Sequence, residues 1–372
     1  MVKAIFQRKL SEKAADSFAG LADPFGVLGV SSCLQDVLSA DPFADDADAV
    51  IQVIGSVDGK AVGSVRSIPL DVVVFGRRYK TAAGCEMFVS EEYRNTQYGL
   101  KLPMARLAST PNNFMVGASQ SQMMIKVSEF IRSTIFYFPR RIMLFDSRAI
   151  VEQKVARPLW WLVRLAANVC LKVYWNIVGS ISTLKNRGLS VCEIMADDAE
   201  SLDVVAKMIS ADKHSCFEVH NAGWIKWHMT VSLSNQRPLR LWLVKKGDLP
   251  YAFYMTKERF YEQASHRGFK NVRLVSIVEW GCIGDLEGTA ERQMRWILLG
   301  GARRFCGVAD AVEILATDIG LDGFLRNKLW PCVGQGNFVF KVGKGSPLEH
   351  IKGIYDRNNW RLRPAMGDAG LS

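Results

Sequence analysis

The sequence predicts an α+β protein: two mixed-sheet halves joined by an apolar helical segment. Three observations carry this expectation. The chain has 372 residues, more than one ordinary compact domain holds and enough for two. Its composition, 49% hydrophobic and 23% charged, is that of a globular chain with a real core. Strand and helix patterns also recur in a similar order in the two halves. No low-complexity tract or repeat of familiar period interrupts them.

In the first half (1–150), Lys3 to Lys9 reads as a strand followed by a helical run from Ser11. The acidic stretch Asp41 to Asp48 precedes a hairpin with arms at Ala49–Ile54 and from Ala61, turning at Asp58-Gly59, a favourable two-residue turn. A strand at Lys80 to Val89, a short helix from Tyr98, a strand at Phe114–Gly117 and a helix from Gln122 to Phe136 complete it. The second half (191–372) predicts strands at Cys192–Met195, Leu239–Lys245, Tyr251–Thr256, Asn271–Trp280, Ala311–Ala316 and Phe338–Val342. Its helices are expected at Ala199–Ser210, Glu287–Phe305 and Leu321–Leu329.

The net charge of +10 is spread in pairs such as Arg140-Arg141, Lys245-Lys246 and Arg303-Arg304. Dispersed charge of this kind is a solvated surface. A nucleic-acid partner is not expected, because that would need a concentrated basic face or a reader module. Eight scattered cysteines form no Cys-x-x-Cys pair, and the apolar run at Met1–Phe6 is too short for a secretory signal. Both point to a reducing cytoplasm.

The segment Met87-Phe88-Val89-Ser90-Glu91-Glu92-Tyr93-Arg94-Asn95-Thr96-Gln97-Tyr98-Gly99-Leu100 carries the clearest chemical signal. A loop turning from a strand into a helix aims free backbone N–H groups at one point, where the helix dipole also favours an anion. Arg94 adds charge, and Gly99 permits close approach. The segment resembles the signature of the GCN5-related N-acetyltransferases, in which a strand ending in Val precedes Arg-x-x-Gly-x-Gly and a helix. The order of elements extends the resemblance over most of both halves. The closing Trp360-Arg361-Leu362-Arg363, with Gly367-Asp368, resembles the ends of tandem members associated with bacterial polysaccharide synthesis. Three positions depart from the pattern. Gln97 replaces a glycine, Pro103 sits early in the following helix, and Phe130 replaces a tyrosine that serves the family as proton donor. Tyr137 is the nearby substitute.

The resemblance implies an acyl-CoA donor, acetyl-CoA or a longer acyl-CoA, bound by Met87, Phe88, Val89, Arg94, Asn95, Thr96, Gln97, Tyr98, Gly99, Leu100 and Ser119. A backbone N–H within Met87 to Val89 would stabilise the tetrahedral oxyanion. Glu86 is the first candidate for the base that takes the amine proton, and Tyr137 for a proton donor. A solvated or ion-paired Glu86 is the competing reading, and a helix N-cap that for Ser119. The second half lacks a comparable loop: Gly281-Cys282-Ile283-Gly284-Asp285 has no arginine at the right spacing and reads as a turn, with a worn phosphate site as the alternative. The second half is therefore expected to be degenerate, acceptor-binding or structural. Glu279 there reads as a structural ion pair. His214, Cys216, His220 and His228 match no standard zinc spacing, so no metal is expected. Trp224 and Trp227 read as core, with a stacking wall for an acceptor ring as the alternative.

Leu159 to Leu184 is the most apolar stretch and forms the connector (151–190). Arg164, Asn168, Lys172 and Asn176 recur every four residues as a polar stripe, which makes a membrane span costly. A helix in a membrane interface and a covered interdomain helix both remain open. The expected function is N-acylation of an amine on a sugar or small metabolite in the cytoplasm, with peripheral membrane contact through Leu159 to Leu184. A non-catalytic scaffold of a polysaccharide system and an acyl-carrier-protein-dependent acyltransferase are the alternatives.

Overall fold

The computed structural model describes residues 3–12, 14–29, 32–43, 48–94, 96–118, 122–154, 157–211, 214–231, 239–262, 271–283 and 289–366. The first strands are β1 (Lys3–Lys9), β2 (Val50–Val57), β3 (Lys60–Val74), β4 (Arg77–Val89), β5 (Phe114–Ala118) and β6 (Thr134–Leu144). Then come β7 (Leu189–Ile194), β8 (Cys216–Glu218), β9 (Arg240–Lys246), β10 (Leu249–Tyr261), β11 (Val272–Cys282), β12 (Ala311–Leu315) and β13 (Cys332–Val342). The helices of the first half are α1 (Ala14–Ser17), α2 (Ser32–Ser39), α3 (Glu91–Arg94), α4 (Tyr98–Ser109), α5 (Gln122–Phe130) and α6 (Arg148–Lys154). The rest are α7 (Trp160–Lys185), α8 (Ala199–Ser210), α9 (Ala222–Thr230), α10 (Thr289–Arg303) and α11 (Ile319–Asn327).

The strands form one mixed sheet in the order β1-β2-β3-β4-β5-β13-β6-β12-β11-β10-β9-β7, with β8 attached to β3. Read from either end, this order is the same if β6 and β13 exchange places. Each half therefore contributes its last strand to the middle of the other. Phe338 pairs with Ala118 on one side and Phe136 on the other, while β12 pairs with β6 from Ala311↔Leu144 to Leu315↔Arg140. A continuous core follows the exchange: Leu34, Ile68 and Phe114 share one cluster with Val205, Trp224, Phe253 and Trp360.

Local signals set most elements. Asp58 and Gly59 take φ of 49° and 76°, the paired left-handed conformation that a two-residue hairpin turn demands. Asp198 accepts a hydrogen bond from Ser201 N and starts α8, as an N-cap aspartate does. The helix expected from Gln122 to Phe136 instead stops at Phe130. Arg132 turns the chain at φ 57°, and the run Thr-Ile-Phe-Tyr-Phe from Thr134, β-branched and aromatic, enters the sheet as β6.

Two features of the sheet position the candidate sites. The parallel neighbours β4 and β5 pair only at Ala82↔Met115 and Ala83↔Val116. The parallel neighbours β11 and β12 pair from Leu274↔Ala311 to Ile277↔Ile314. Beyond those points each pair parts into a V. The outer strand of each V also carries an irregularity: Glu86 at φ 44° in β4, and in β11 a register shift between Ile277 and Glu279.

Candidate functional site

In the first V the expected residues Met87 to Arg94 and Thr96 to Leu100 are present at the turn from β4 into α4. Three of the amides are already used inside the protein. Thr96 N donates to Tyr93 O at 3.1 Å, Leu100 N to Gln97 O at 3.1 Å, and Tyr98 N lies 3.3 Å from Thr96 Oγ1. The physical reason is that α3, the Thr96 side chain and the first turn of α4 take up these donors in turn. Arg94 turns back, its Nε donating to Val89 O at 3.0 Å and its Nη1 lying 3.4 Å from Glu91. Tyr98 is buried; its hydroxyl donates to Ser56 O at 2.7 Å, and its ring fills space left by Gly55. The V itself receives Arg106, which donates to Ser67 Oγ at 2.8 Å and Ala82 O at 3.0 Å. Gly84 makes that possible, because an added Cβ would lie 2.4 Å from Arg106 Nη1.

The candidate base Glu86 is paired with Arg66 at 2.8 Å. Met87 and Phe88 continue β4 toward the mouth of the V, with Phe88 exposed and Val89 buried. Gln97 caps α4 without a side-chain bond, Gly99 lies in its first turn, and Pro103 is accommodated inside that helix. Tyr137 stands on β6, three strands from β4 in the sheet and hence roughly 14 Å away. Its hydroxyl is 3.5 Å from Glu129 Oε1, so it is not brought to Glu86. Phe130 is exposed. Asn95, Ser119, Gly284, Asp285, Gly367 and Asp368 lie outside the described residues.

The second V is different. A cavity of about 510 Å³ opens between the ends of β11 and β12, within the range of small-molecule sites. Met294 and Leu298 of α10 and Leu321 of α11 give it apolar walls, and Trp280 and Trp360 close it. His214, Thr317, Asp318, Arg295, Arg361 and Arg363 supply polar groups. Thr317 follows the end of β12. Its side-chain hydroxyl is buried with no hydrogen-bond partner among the described residues, although the residue is only 8% exposed. A buried hydroxyl left unpaired costs free energy unless a ligand or water satisfies it.

Behind the cavity lies a buried charge array. Glu279 accepts from Arg361 Nη2 at 2.6 Å and contacts His220 Nδ1 at 2.9 Å, with Arg363 Nε at 3.5 Å. His220 Nε2 lies 3.3 Å from Glu218, and the ring stacks on Trp224 at 3.6 Å. Arg363 packs over the Trp280 ring at 4.6 Å. Glu279 is thus the structural ion pair expected from the sequence, and Trp224 and Trp227 are core. Among the described residues no group of three or more His, Cys, Asp or Glu side chains is placed to hold a metal.

These contacts set the protonation states. Burial pushes the Glu279 carboxyl up, but Arg361, then His220 and Arg363, outweigh it and hold it at about 2. Burial likewise pulls His220 down, yet the carboxylates of Glu218 and Glu279 reverse this and raise it. His228 is equally buried and has no such carboxylate pair, so it falls well below 6.5. The raised His220 contributes stability that is complete below 6.5 and lost as pH climbs through its folded value. The lowered His228 acts oppositely, costing stability as pH falls below 6.5, where the unfolded chain takes up the proton. The urea midpoint is therefore expected to peak near 6.5, and His220→Gln to flatten the alkaline arm only. An alkaline arm unchanged in that variant would contradict the assignment.

The second V escaped the sequence as a site because its parts, among them Met208, His214, Trp280, Met294, Thr317 and Arg361, are scattered along the chain. The visible signals were the closing Trp-Arg-Leu-Arg run, whose arginines form its floor, and His214 with the Gly281-Cys282 turn, which also line it.

No protein-family model matches the chain, and no curated protein matches it by sequence. Among solved structures, Saccharomyces cerevisiae N-myristoyltransferase with bound myristoyl-CoA aligns over 86% of this chain and 72% of its own, with a TM-score of 0.51 at 10% identity. A GCN5-related N-acetyltransferase from Anabaena variabilis aligns over 92% of this chain and 73% of its own, with a TM-score of 0.50 at 11% identity. At such identities the likeness is one of fold: the large mixed sheet with helices packed on it is shared with both.

Proposed function

We propose that the chain is an acyl-CoA-dependent N-acyltransferase whose reacting centre is the cleft between β11 and β12. The observation that carries this reading is the unpaired, buried Thr317 hydroxyl lining a cavity where two parallel strands part. A pantetheine arm is slender and mostly apolar, which suits walls of Met294, Leu298 and Leu321. Arg295, Arg361 and Arg363 offer charge to a thioester carbonyl or a phosphate. In the reaction a neutral amine attacks the thioester carbonyl, the oxyanion collapses, and the thiolate leaves. Thr317 would donate a hydrogen bond to that thiolate, and His214 would accept the amine proton. The acceptor is an amine on a sugar or small metabolite.

Thermal or urea unfolding with CoA, acetyl-CoA and longer acyl-CoA tests this. A ligand at a hundred times its Kd is expected to stabilise by about 2.7 kcal/mol. Thr317→Trp should abolish the effect by filling the cavity, and Thr317→Val should lower kcat more than it raises KM. A donor held at Met87 to Leu100, with Glu86 as base, would instead respond to Arg94→Ala and ignore both. No stabilisation by any acyl-CoA would refute the enzyme reading unless a holo acyl carrier protein replaces it.

One observation favours a non-catalytic binding protein. The free edge of β11 is already engaged: Ala365 N donates to Val278 O at 3.0 Å and Trp280 N to Glu279 Oε1 at 2.9 Å. Tight CoA binding without turnover on any amine would select that reading.

A further inference from the structure

Helix α7 is packed on one side only. Trp175, Val178, Gly179 and Ser182 are its buried residues, and Gly179 admits Arg303, whose guanidinium would lie 2.2 Å from an added Cβ. Half of the polar stripe read from the sequence also turns inward. Asn168 Oδ1 accepts from Ser147 N at 2.8 Å, and Arg164 pairs with Asp146 at 3.3 Å. The opposite face is uncovered and mostly apolar, with Lys172, Asn176 and Ser180 among its exposed residues. Trp161 is 65% exposed, Leu165 59%, Val169 53%, Val173 51%, Ile177 56% and Leu184 68%. Spaced mostly four apart, these side chains stay on one side of the helix and extend about 35 Å along it.

A stripe of that size on a soluble surface marks a docking face, and its charge identifies the occupant. Between Glu152 and Glu193 the chain carries six Lys or Arg and no acidic residue. Arg157 before the helix, Lys172 within it, and Lys185 and Arg187 at its end are exposed. Lys172 is near enough to the stripe for its stem to lie along it with the ammonium raised. A second copy of α7 on the same face would set cation against cation with no acid to relieve them. Spanning is also excluded for this helix: none among the described residues is long and apolar enough to cross a membrane. We propose that α7 lies flat in the interface of a membrane bearing anionic lipid, its Trp161-to-Leu184 stripe in the acyl boundary and its basic residues at the headgroups. This docking surface is independent of the catalytic assignment.

Co-sedimentation of the full chain with phosphatidylcholine vesicles, with and without phosphatidylglycerol, tests it. The chain is expected to bind the anionic vesicles at low salt and to be released as salt rises. Val169→Ser with Val173→Ser should weaken partition by about tenfold or more. Lys185→Ala and Arg187→Ala should each weaken it by about fivefold. Circular dichroism and gel filtration of the variants establish that they remain folded. Failure of the folded chain to bind anionic vesicles at low salt would overturn the proposal. So would binding unaffected by the paired serine substitutions, or a concentration-dependent dimer that those substitutions disperse.

Discussion

Glu279→Ala is expected to lower the free energy of unfolding by about 3–5 kcal/mol, measured as a shift in urea midpoint at unchanged slope. The carboxylate is fully buried and faces Arg361 at 2.6 Å, His220 at 2.9 Å and Arg363 at 3.5 Å. Removing it leaves the buried Arg361 and His220 without their counter-charge, which costs far more than the pair contributes in the intact protein. A loss of that size is a large fraction of the roughly 5–15 kcal/mol that holds a typical domain together. Glu279→Gln should cost less, because an amide still accepts from Arg361 even though its charge is gone. Removing Glu279 and Arg361 together should cost less than the sum of the single changes, the signature of a coupled pair. Strict additivity would show that the array is not coupled as its geometry implies. Arg361 and Arg363 also line the cleft, so Glu279→Ala should weaken acyl-CoA binding in the fraction that remains folded.

Elements whose cause is local were legible in the sequence. The α8 bounds, Ala199 to Ser210, follow from an N-cap aspartate and a helical apolar period. The hairpin at Asp58-Gly59 follows from a turn that only certain residues permit. Elements whose cause is distant were not. The strand β6 reads as the end of a helix because its partners are residues 311–315 and 332–340, more than 160 positions away. The candidate site shows the same division. The strand-to-helix loop before α4 was found from its residues, but the fate of its amides depends on how α3 and α4 wind. The choice of Arg106 to enter the first V depends on Gly84 across the sheet. Nothing in the neighbourhood of Thr317 distinguishes it from an ordinary residue before a helix cap. Only the fold brings it to a cavity with Arg295, Arg361 and Arg363.

The exchange of β6 and β13 makes a prediction about the whole molecule. Phe340→Ala is expected to cost about 3–5 kcal/mol, as truncation of a large buried ring does, and to cost it in both halves at once. Phe340 belongs to the second half by position, yet it pairs with Val116 of β5 and Thr134 of β6. Its ring lies 6.2 Å from Phe114, 5.7 Å from Phe136 and 5.3 Å from Trp360. Loss of the ring opens a void bordered by both halves and loosens the strand that completes the first half's sheet. All ten tryptophans lie beyond residue 159, so fluorescence follows the connector and the second half, together with the shared core in which Trp224, Trp227 and Trp360 pack. Amide exchange of β2 and β3 follows the first. The two probes are expected to report one midpoint in the parent protein and the same lower midpoint in Phe340→Ala, because neither half can unfold without withdrawing a strand from the other. Separate midpoints, with only the fluorescence transition moved, would mean that the halves fold independently and that the shared centre of the sheet contributes little to either.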